Sequence, residues 1–509
     1  MSKINKNAVI RYIVPFYFES SSYITDASDE YRVLSNNLSY DNSRWEAVVW
    51  EETERDTFEY LYRSLYYKSD ECHIGSRWHY NLSDNPMNFR YYPSSDEPET
   101  CYDFHMKDMG LYLFRTNVGI LWYEISLPRA SDDKNGDSVD SSFLIRFQNR
   151  FKELNLRRQK CFRQISANQE ESVLIMGDII HEILQDISEN IHYLNGSRKN
   201  DENIERPDKA LIFNYALLED ENLPEEKLRE TAFLLANGYN ENYHMPPDIK
   251  ETMINAFANT CWYATRGGCG YFSSMNPGEK NMFFLHTLPG RIRGDYFFMY
   301  ILALYQSYSI LNYLRRIMQY YPADSQKYFE LEKGGQLNEF TSEINTFLMK
   351  GMYSSVSNIH HQNMFFQYLQ KQLSIKEDIE SITMGVNALA KMQRLHYEKE
   401  NALLKEKREL RSKKRDNQLS LILAVLSVLS VFSALMDIHS FVNMVQSICG
   451  DQSYLQKLWS LLTSGDSLIY FQIIMGLAVI CLSVASVSVI VINMLDQRPK
   501  KKQKKDRND

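Results

Sequence analysis

Leu419–Met436 reads LSLILAVLSVLSVFSALM, 18 residues without a charge, and Leu468–Leu495 reads LIYFQIIMGLAVICLSVASVSVIVINML, 28 more. About 20 apolar residues carry a helix across the hydrocarbon of a bilayer. The second stretch is ample, and the first reaches that length by borrowing Asn417 and Gln418. Both are predicted to be transmembrane helices. Lys405, Lys407, Arg408, Arg411, Lys413, Lys414 and Arg415 precede the first, and Arg498, Lys500, Lys501, Lys502, Lys504, Lys505 and Arg507 follow the second. The segment between them carries only Lys457 against Asp437, Asp451 and Asp466. Lys and Arg stay on the cytoplasmic side. The pattern predicts a multi-pass hairpin in the inner (cytoplasmic) cell membrane, with both termini cytoplasmic. The terminal KKKQKK is expected to sit on anionic headgroups of the lipid bilayer.

The rest of the chain has a different character. Of 509 residues, 44% are hydrophobic, 24% charged and 13% aromatic, which excludes a mostly disordered or collagen-like chain. Mean hydropathy is −0.43. From Leu404 onward Lys and Arg number 15 against 9 Asp and Glu; before it they number 42 against 56. An acidic domain of this size does not read as a nucleic-acid binder, and no direct nucleic-acid binding is expected. Seven cysteines lie far apart with no CxxC pair, as reduced cytosolic thiols do. The first residues, MSKINKNAVIRYIVPFYFESSS, do not read as a signal peptide. Tyr296–Leu314 is also uncharged but holds five Tyr, Gln306, Ser307, Ser309 and Asn312. Arginines flank it on both sides, so it reads as a buried soluble helix ended by Pro322.

Between Ile375 and the first span there is no Pro and one Gly, Gly385. Ile375, Ile382 and Leu389 repeat every seven residues, with Ile379 and Val386 between, and the row continues through His396, Leu403 and Leu410. This predicts a heptad-like stalk helix running into the membrane, about 60 residues and roughly 90 Å long. Past Leu389 the alternate row becomes Gln393, Glu400, Lys407 and Lys414, which fits a wide ring of helices better than a tight dimer. In the first span Ser420, Ala424, Ser427, Ser430, Ala434 and Asp437 fall within about 140° of the helix circumference. Small polar residues on one face either pack helices closely or line water. Asp437 at the outer end favours a pore lining, where a ring of carboxylates would concentrate cations. One hairpin cannot enclose a pore, so a homo-oligomer is expected.

A long cytosolic helix entering the first of two C-terminal spans, an acidic soluble domain and a basic tail resemble the CorA family of divalent-cation channels. The resemblance implies a pentamer with the first spans lining the pore, and a divalent cation such as magnesium as permeant or regulatory ion. The family's Gly-Met-Asn after the first span is replaced here by MDIHSFVNMVQSICG, with Asn443–Met444 the nearest echo. The large soluble part, including GLYLFRTNVGILWYEI (Gly110–Ile125), resembles the divergent CorA-like proteins associated with type III CRISPR systems. That branch implies an antiviral effector answering a nucleotide second messenger.

The soluble part reads as α/β, a mixed sheet plus helices. Strands are predicted at Ala8–Phe18, Arg44–Glu51, Met87–Tyr92 and Lys209–Leu218, with a hairpin joining Leu111–Phe114 to Gly119–Ile125. Helices are predicted at Ser142–Lys160 and Ser172–Ser188, and loops at Ser131–Ser142 and Asn195–Asp208. The four Asp of the first loop do not match EF-hand spacing. The organisation is an α/β cytosolic domain over 1–224, a helical cytosolic region over 225–373, a stalk over 374–418, spans at 419–436 and 468–495 around an extracytoplasmic loop at 437–467, and a tail at 496–509. One segment carries ligand chemistry: Trp262–Phe272, WYATRGGCGYF. Gly267, Gly268 and Gly270 would let backbone N–H groups approach phosphate, Arg266 would add charge-assisted hydrogen bonds, and Tyr271, Trp262 or Tyr263 would stack a base. Arg291 and Arg293 follow Gly290 and are candidates for the same site. A plain glycine turn between helix and strand is the competing reading. No Walker, Rossmann, nucleophile-elbow, HExxH or kinase motif is present. No catalytic residue, metal ligand or covalent cofactor is therefore assigned, and an enzyme is not expected. His181, His360 and His361 read as structural.

Overall fold

The computed structural model describes residues 2–448 apart from 19–30, 39–43, 49–55, 66–73, 94–99, 132–137, 156–159, 199–204, 277–280, 321–335 and scattered shorter gaps. Beyond 448 it describes Gly476, Ala478–Ile480 and Leu482. Most of the predicted outer loop, nearly all of the second span and the basic tail thus lie outside the described residues. The chain separates into two compact units, Met1–Ala390 and Lys391–Asp509.

The first unit is α/β. Val9–Phe18 is buried at every position. It pairs antiparallel with Val118–Ile125 along nearly its whole length and with Leu211–Leu218 over Val9–Ile13. Ile191–Tyr193 takes over from Phe16. Pro15 falls where that partner changes, the place in a central strand that best tolerates a residue without an N–H. Tyr102–Phe114, Val118–Ile125, Val9–Phe18 and Leu211–Leu218 stand in this order at the centre of a fifteen-stranded sheet. The predicted hairpin is present with longer arms, and Asn117 at its turn takes φ 60°, a conformation Asn accepts more readily than most residues.

Helices cover both faces of the sheet. Phe147 and Phe151 of the helix Ser141–Phe151 meet Phe104 edge-on at 5.1 and 5.3 Å. Asp140 begins this helix by accepting from the Ser142 N–H at 3.0 Å. On the other face, Phe297, Tyr300 and Tyr305 of the helix Phe297–Tyr320 pack on Trp122, Phe213 and Phe114 at 5.2, 5.4 and 4.2 Å. This is the uncharged stretch around Tyr296–Leu314, and it is buried in the first unit as its polar residues foretold. Thr116 Oγ1 and Ser309 Oγ are 2.6 Å apart, and Asn312 Nδ2 donates to Thr116 O at 2.9 Å. The helix is described as far as Tyr320; Pro322, expected to end it, lies outside the described residues.

One charged group sits between these layers. Arg11 is 3% exposed and Glu124, its cross-strand neighbour, 2%. Arg11 Nε donates to Glu124 Oε2 at 2.9 Å, and Arg293 Nε donates to Glu124 Oε1 at 2.8 Å. Arg11 Nη1 also donates to Arg293 O at 2.9 Å, and its guanidinium lies over the Trp122 and Phe297 rings at 4.4 and 4.3 Å. Burial pulls the Arg11 pKa down and Glu124 opposes that. Arg293 belongs to the π-helical turn Ile292–Tyr296 that leads into Phe297–Tyr320, so the pair bolts that helix to the sheet.

Several sequence expectations are corrected. The region 225–373 is not all-helical: Thr260–Thr265 and Gly268–Ser274 form a hairpin whose second strand runs parallel to Leu211–Leu218. Its alternation was hidden by three glycines and by a face buried on both sides. The helix expected over Ser142–Lys160 stops at Phe151, and Phe162–Ile165 joins the sheet. Ser172 lies in a strand, Glu171–Val173, and the following helix is Met176–Gln185. The loop at Asn195–Asp208 contains a two-stranded ribbon, Gly196–Arg198 with Glu205–Pro207. Ser138–Asp140, the end of the Asp-rich loop, pairs with Lys3–Asn5. Only Trp45–Ala47 is a strand within Arg44–Val48; the rest of that prediction lies outside the described residues.

The stalk prediction corresponds to one helix, Ile375–Ile448, of 74 residues. Ile375, Ile382 and Leu389 are buried within the first unit, and Gly385 lies where a Cβ would come within 3.0 Å of Ile317. The first three rungs of the heptad row are thus spent inside the chain rather than across a coiled coil. Leu403 and Leu410, further along, are 57% and 55% exposed.

Replacing Glu124 by Gln strips the buried Arg11 of its counter-charge. The unfolding free energy of the detergent-solubilised chain is expected to fall by about 3–5 kcal/mol, read from urea or thermal melting.

Candidate functional site

The Trp262–Phe272 segment folds as a hairpin whose turn is Arg266–Gly267, between the paired residues Thr265 and Gly268. Its glycines have separate causes. A Cβ on Gly268 would strike the Ala236 carbonyl, and one on Gly270 the Phe272 ring, so these two serve close packing. A Cβ on Gly267 would meet only ordinary contacts, Thr265 Oγ1 at 3.6 Å and Asn237 Oδ1 at 3.7 Å. Tyr271 is 2% exposed and packs on Trp262 at 4.3 Å, and Trp262 lies 3.9 Å from Phe365. Neither ring is free to stack a base. Arg291 pairs with Asp56 at 2.7 Å and Arg293 with Glu124, so they belong to a different part of the unit. Of the seven predicted ligand residues, the structure keeps Arg266 and Gly267 at an open cleft and assigns Gly268, Gly270, Tyr271, Arg291 and Arg293 to packing or internal ion pairs.

That cleft has a volume of about 560 Å³. The helix Glu225–Asn237 ends on Gly238 at φ 57°, and the chain then places Tyr239, Tyr243 and His244 along the opening. Tyr239 and Tyr243 stack at 4.6 Å, and Tyr243 is 54% exposed. Lys152 lies 5.4 Å from the Tyr239 ring and donates to Asn237 O at 2.9 Å; burial lowers its pKa. Asn237 Oδ1 accepts from Thr265 Oγ1 at 2.7 Å, and Thr265 Oγ1 accepts from Gly267 N at 3.1 Å, fixing the turn. Lys209 completes the basic lining, with Glu153 at 3.3 Å. An aromatic platform beside Lys152, Lys209 and Arg266 suits a planar ring with a phosphate attached. Sequence reasoning missed the tyrosines and lysines, whose one local trace is the i, i+4 spacing of Tyr239 and Tyr243.

The cleft is joined to the long helix. Arg266 Nη2 lies 3.6 Å from Asp378 Oδ2, in the first turn of Ile375–Ile448. Burial raises the Asp378 pKa, and Arg266 opposes it. On the other side of the hairpin, the Ala264 N–H donates to Tyr368 OH at 3.0 Å. Tyr368 belongs to the helix His360–Gln372, which turns into the long helix through Ser374 at φ 57°.

The predicted pore residues lie on the same helix. Ser420, Ser427, Ser430, Ala434 and Asp437 are exposed in the single chain and Ala424 is half-buried. Ser427 Oγ donates to Ala424 O at 2.8 Å and Ser430 Oγ to Leu426 O at 2.9 Å, so their protons are satisfied without water. The opposite face is exposed too: Leu429 by 57% and Phe432 by 58%. Among the described residues one helix, Ile375–Asp437, is long and apolar enough to cross a membrane, and its apolar window has no buried part. Among the described residues no three His, Cys, Asp or Glu side chains gather as a metal cluster. Comparison with protein-family models, curated proteins and solved structures gives no match to this chain.

Cys261 and Cys269 lie on the two hairpin strands, and burial raises both thiols, Cys261 to about 12. In the folded protein at pH 8 both are expected to resist iodoacetamide and to react after denaturation, read by peptide mass spectrometry. Rapid native labelling of either would show that the hairpin is not packed as described.

Proposed function

We propose that the chain is an oligomeric, CorA-like membrane channel for cations, gated by a ligand on its cytosolic α/β domain. The reading takes the second apolar stretch as a second transmembrane helix, both termini as cytoplasmic and five copies as the assembly. The observation that carries it is the unbroken helix Ile375–Ile448. Its first turns are packed on the α/β unit, and its apolar window, with small polar residues on one face, has no cover in the single chain. Exposed apolar surface on that scale calls for lipid or further copies.

The gating step follows from the cleft. A nucleotide stacking on Tyr243 with its phosphate on Arg266 draws the guanidinium from Asp378, and the root of the long helix loses a tether. An exposed pair of this kind is worth about 0.2–1 kcal/mol. One copy therefore shifts an equilibrium only a few-fold, whereas five acting together reach about 1–5 kcal/mol, enough for a population switch. A nucleotide second messenger, and with it an antiviral role, is the ligand class this cleft suits. A transporter gated by magnesium itself and a membrane-anchored receptor without a pore are the rival outcomes.

Proteoliposomes decide among them. Cation flux is expected to rise with a mono- or dinucleotide, to fall several-fold in Asp437→Asn, and to lose its nucleotide response in Arg266→Ala. A response to magnesium alone supports the metal-gated transporter. Absence of conductance under every condition removes the pore and leaves the receptor.

A further inference from the structure

The strand Tyr102–Phe114 changes the face it gives to the core. Phe104 and Met106 are in the apolar core, and so are Met109, Leu111 and Leu113. A regular strand keeps one parity throughout. The switch requires an extra residue, and the register locates it: Met106 opposes Ile125, Asp108 opposes Glu124, and Lys107 opposes nothing. This is a β-bulge, a device that re-aims a side chain at the cost of local pairing.

Lys107 opens on a cleft of about 780 Å³, apart from the Arg266 cleft, lined also by His105 of the same strand and by Arg129. Arg129 lies on Arg129–Ala130, directly opposite Asp103. The cleft's other arginine, Arg90, is already neutralised: Asp103 holds it at 2.6 and 3.2 Å and Glu171 at 2.6 Å. Lys107 and Arg129 have no carboxylate in ion-pair contact among the described residues. The acid that acts on Lys107 through its charge, Glu124, is occupied by Arg11 and Arg293. Burial lowers the Lys107 pKa; Glu124 raises it, while Arg293 and Arg129 lower it further. Burial lowers His105 as well, followed by Lys107 and Arg129. Uncompensated cations crowded in a concavity are stabilised by an anion.

We propose that this cleft binds the phosphate group of a small ligand, with the bulge residue Lys107 and Arg129 as the charge-assisted donors and His105 at the rim. The inference does not rest on the channel reading. Phosphate of this kind comes from a free phosphorylated metabolite or from a lipid headgroup, and two probes separate them: inorganic pyrophosphate and water-soluble dioctanoyl phosphatidic acid. Each is titrated calorimetrically into the full chain in neutral detergent. The titrations are made in the Arg266→Ala background, which silences the other cleft; saturable binding of at least one probe is expected there, weakened tenfold or more when Lys107→Ala/Arg129→Ala is added. Preference for pyrophosphate assigns the site to a free ligand, and preference for the lipid analogue to a headgroup. The single variant Arg129→Gln, on an exposed side chain, is expected to lose at least threefold with an unaltered melting curve, which guards against a misfolded double variant. Absence of saturable binding of either probe overturns the proposal, as does undiminished binding in the folded variants.

Discussion

A guanidinium locked between the sheet and the helix that covers it sets the geometry of the first unit. Arg11 projects from a strand that is buried at every position, so its charge must be answered on the spot, and Glu124 on the adjacent strand answers it. The carboxylate has a second oxygen, and Arg293 takes that. Two arginines on one carboxylate leave a net positive charge, and the π-faces of Trp122 and Phe297 help to hold it. A buried ion group of this kind specifies position more than it adds stability. It fixes the rotation of the helix Phe297–Tyr320 on the sheet. The long helix packs on that helix through Gly385 and Ile317, so its root depends on the same charges.

From that root two routes lead to ligand chemistry. The hairpin Thr260–Ser274 reaches it through Asp378 and through the helix His360–Gln372, and its open turn faces a cleft with stacked tyrosines and three cations. The bulged strand opens a second cleft, where Lys107 and Arg129 stand without an ion-pair partner among the described residues. Both sites use side chains brought together from distant parts of the chain. Both also sit beside elements whose regularity is broken, at a turn and at a bulge, where backbone geometry can aim a side chain that a continuous strand would bury or waste.

The glycine segment shows how a motif can mislead. Three glycines and an arginine read as a phosphate cradle, and the fold uses two of those glycines to let a strand lie against a helix end and a phenyl ring. A glycine chosen for closeness to protein and one chosen for closeness to a ligand leave the same letter. What separates them is the neighbour, and the neighbours here are Ala236, 32 residues back, and the ring of Phe272.

Properties that depend on local composition and period were legible in the chain itself. These are the apolar stretch beginning at Leu419, the long helix before it, the central strands Val9–Phe18 and Leu211–Leu218, the hairpin around Arg115–Asn117, and the buried rather than membranous character of Tyr296–Leu314. Each rests on residues close in sequence, whose side-chain period or polarity dictates an environment. Tertiary structure alone decided the parallel pairing of Gly268–Ser274, the bond between Arg11, Glu124 and Arg293, the fate of Arg291, and the use of the first heptad rungs within the chain. It alone also gathered Lys152, Tyr239, Tyr243 and Arg266. Those are pairings between residues tens to hundreds of positions apart, and no local pattern encodes which distant charge or surface will arrive to meet them.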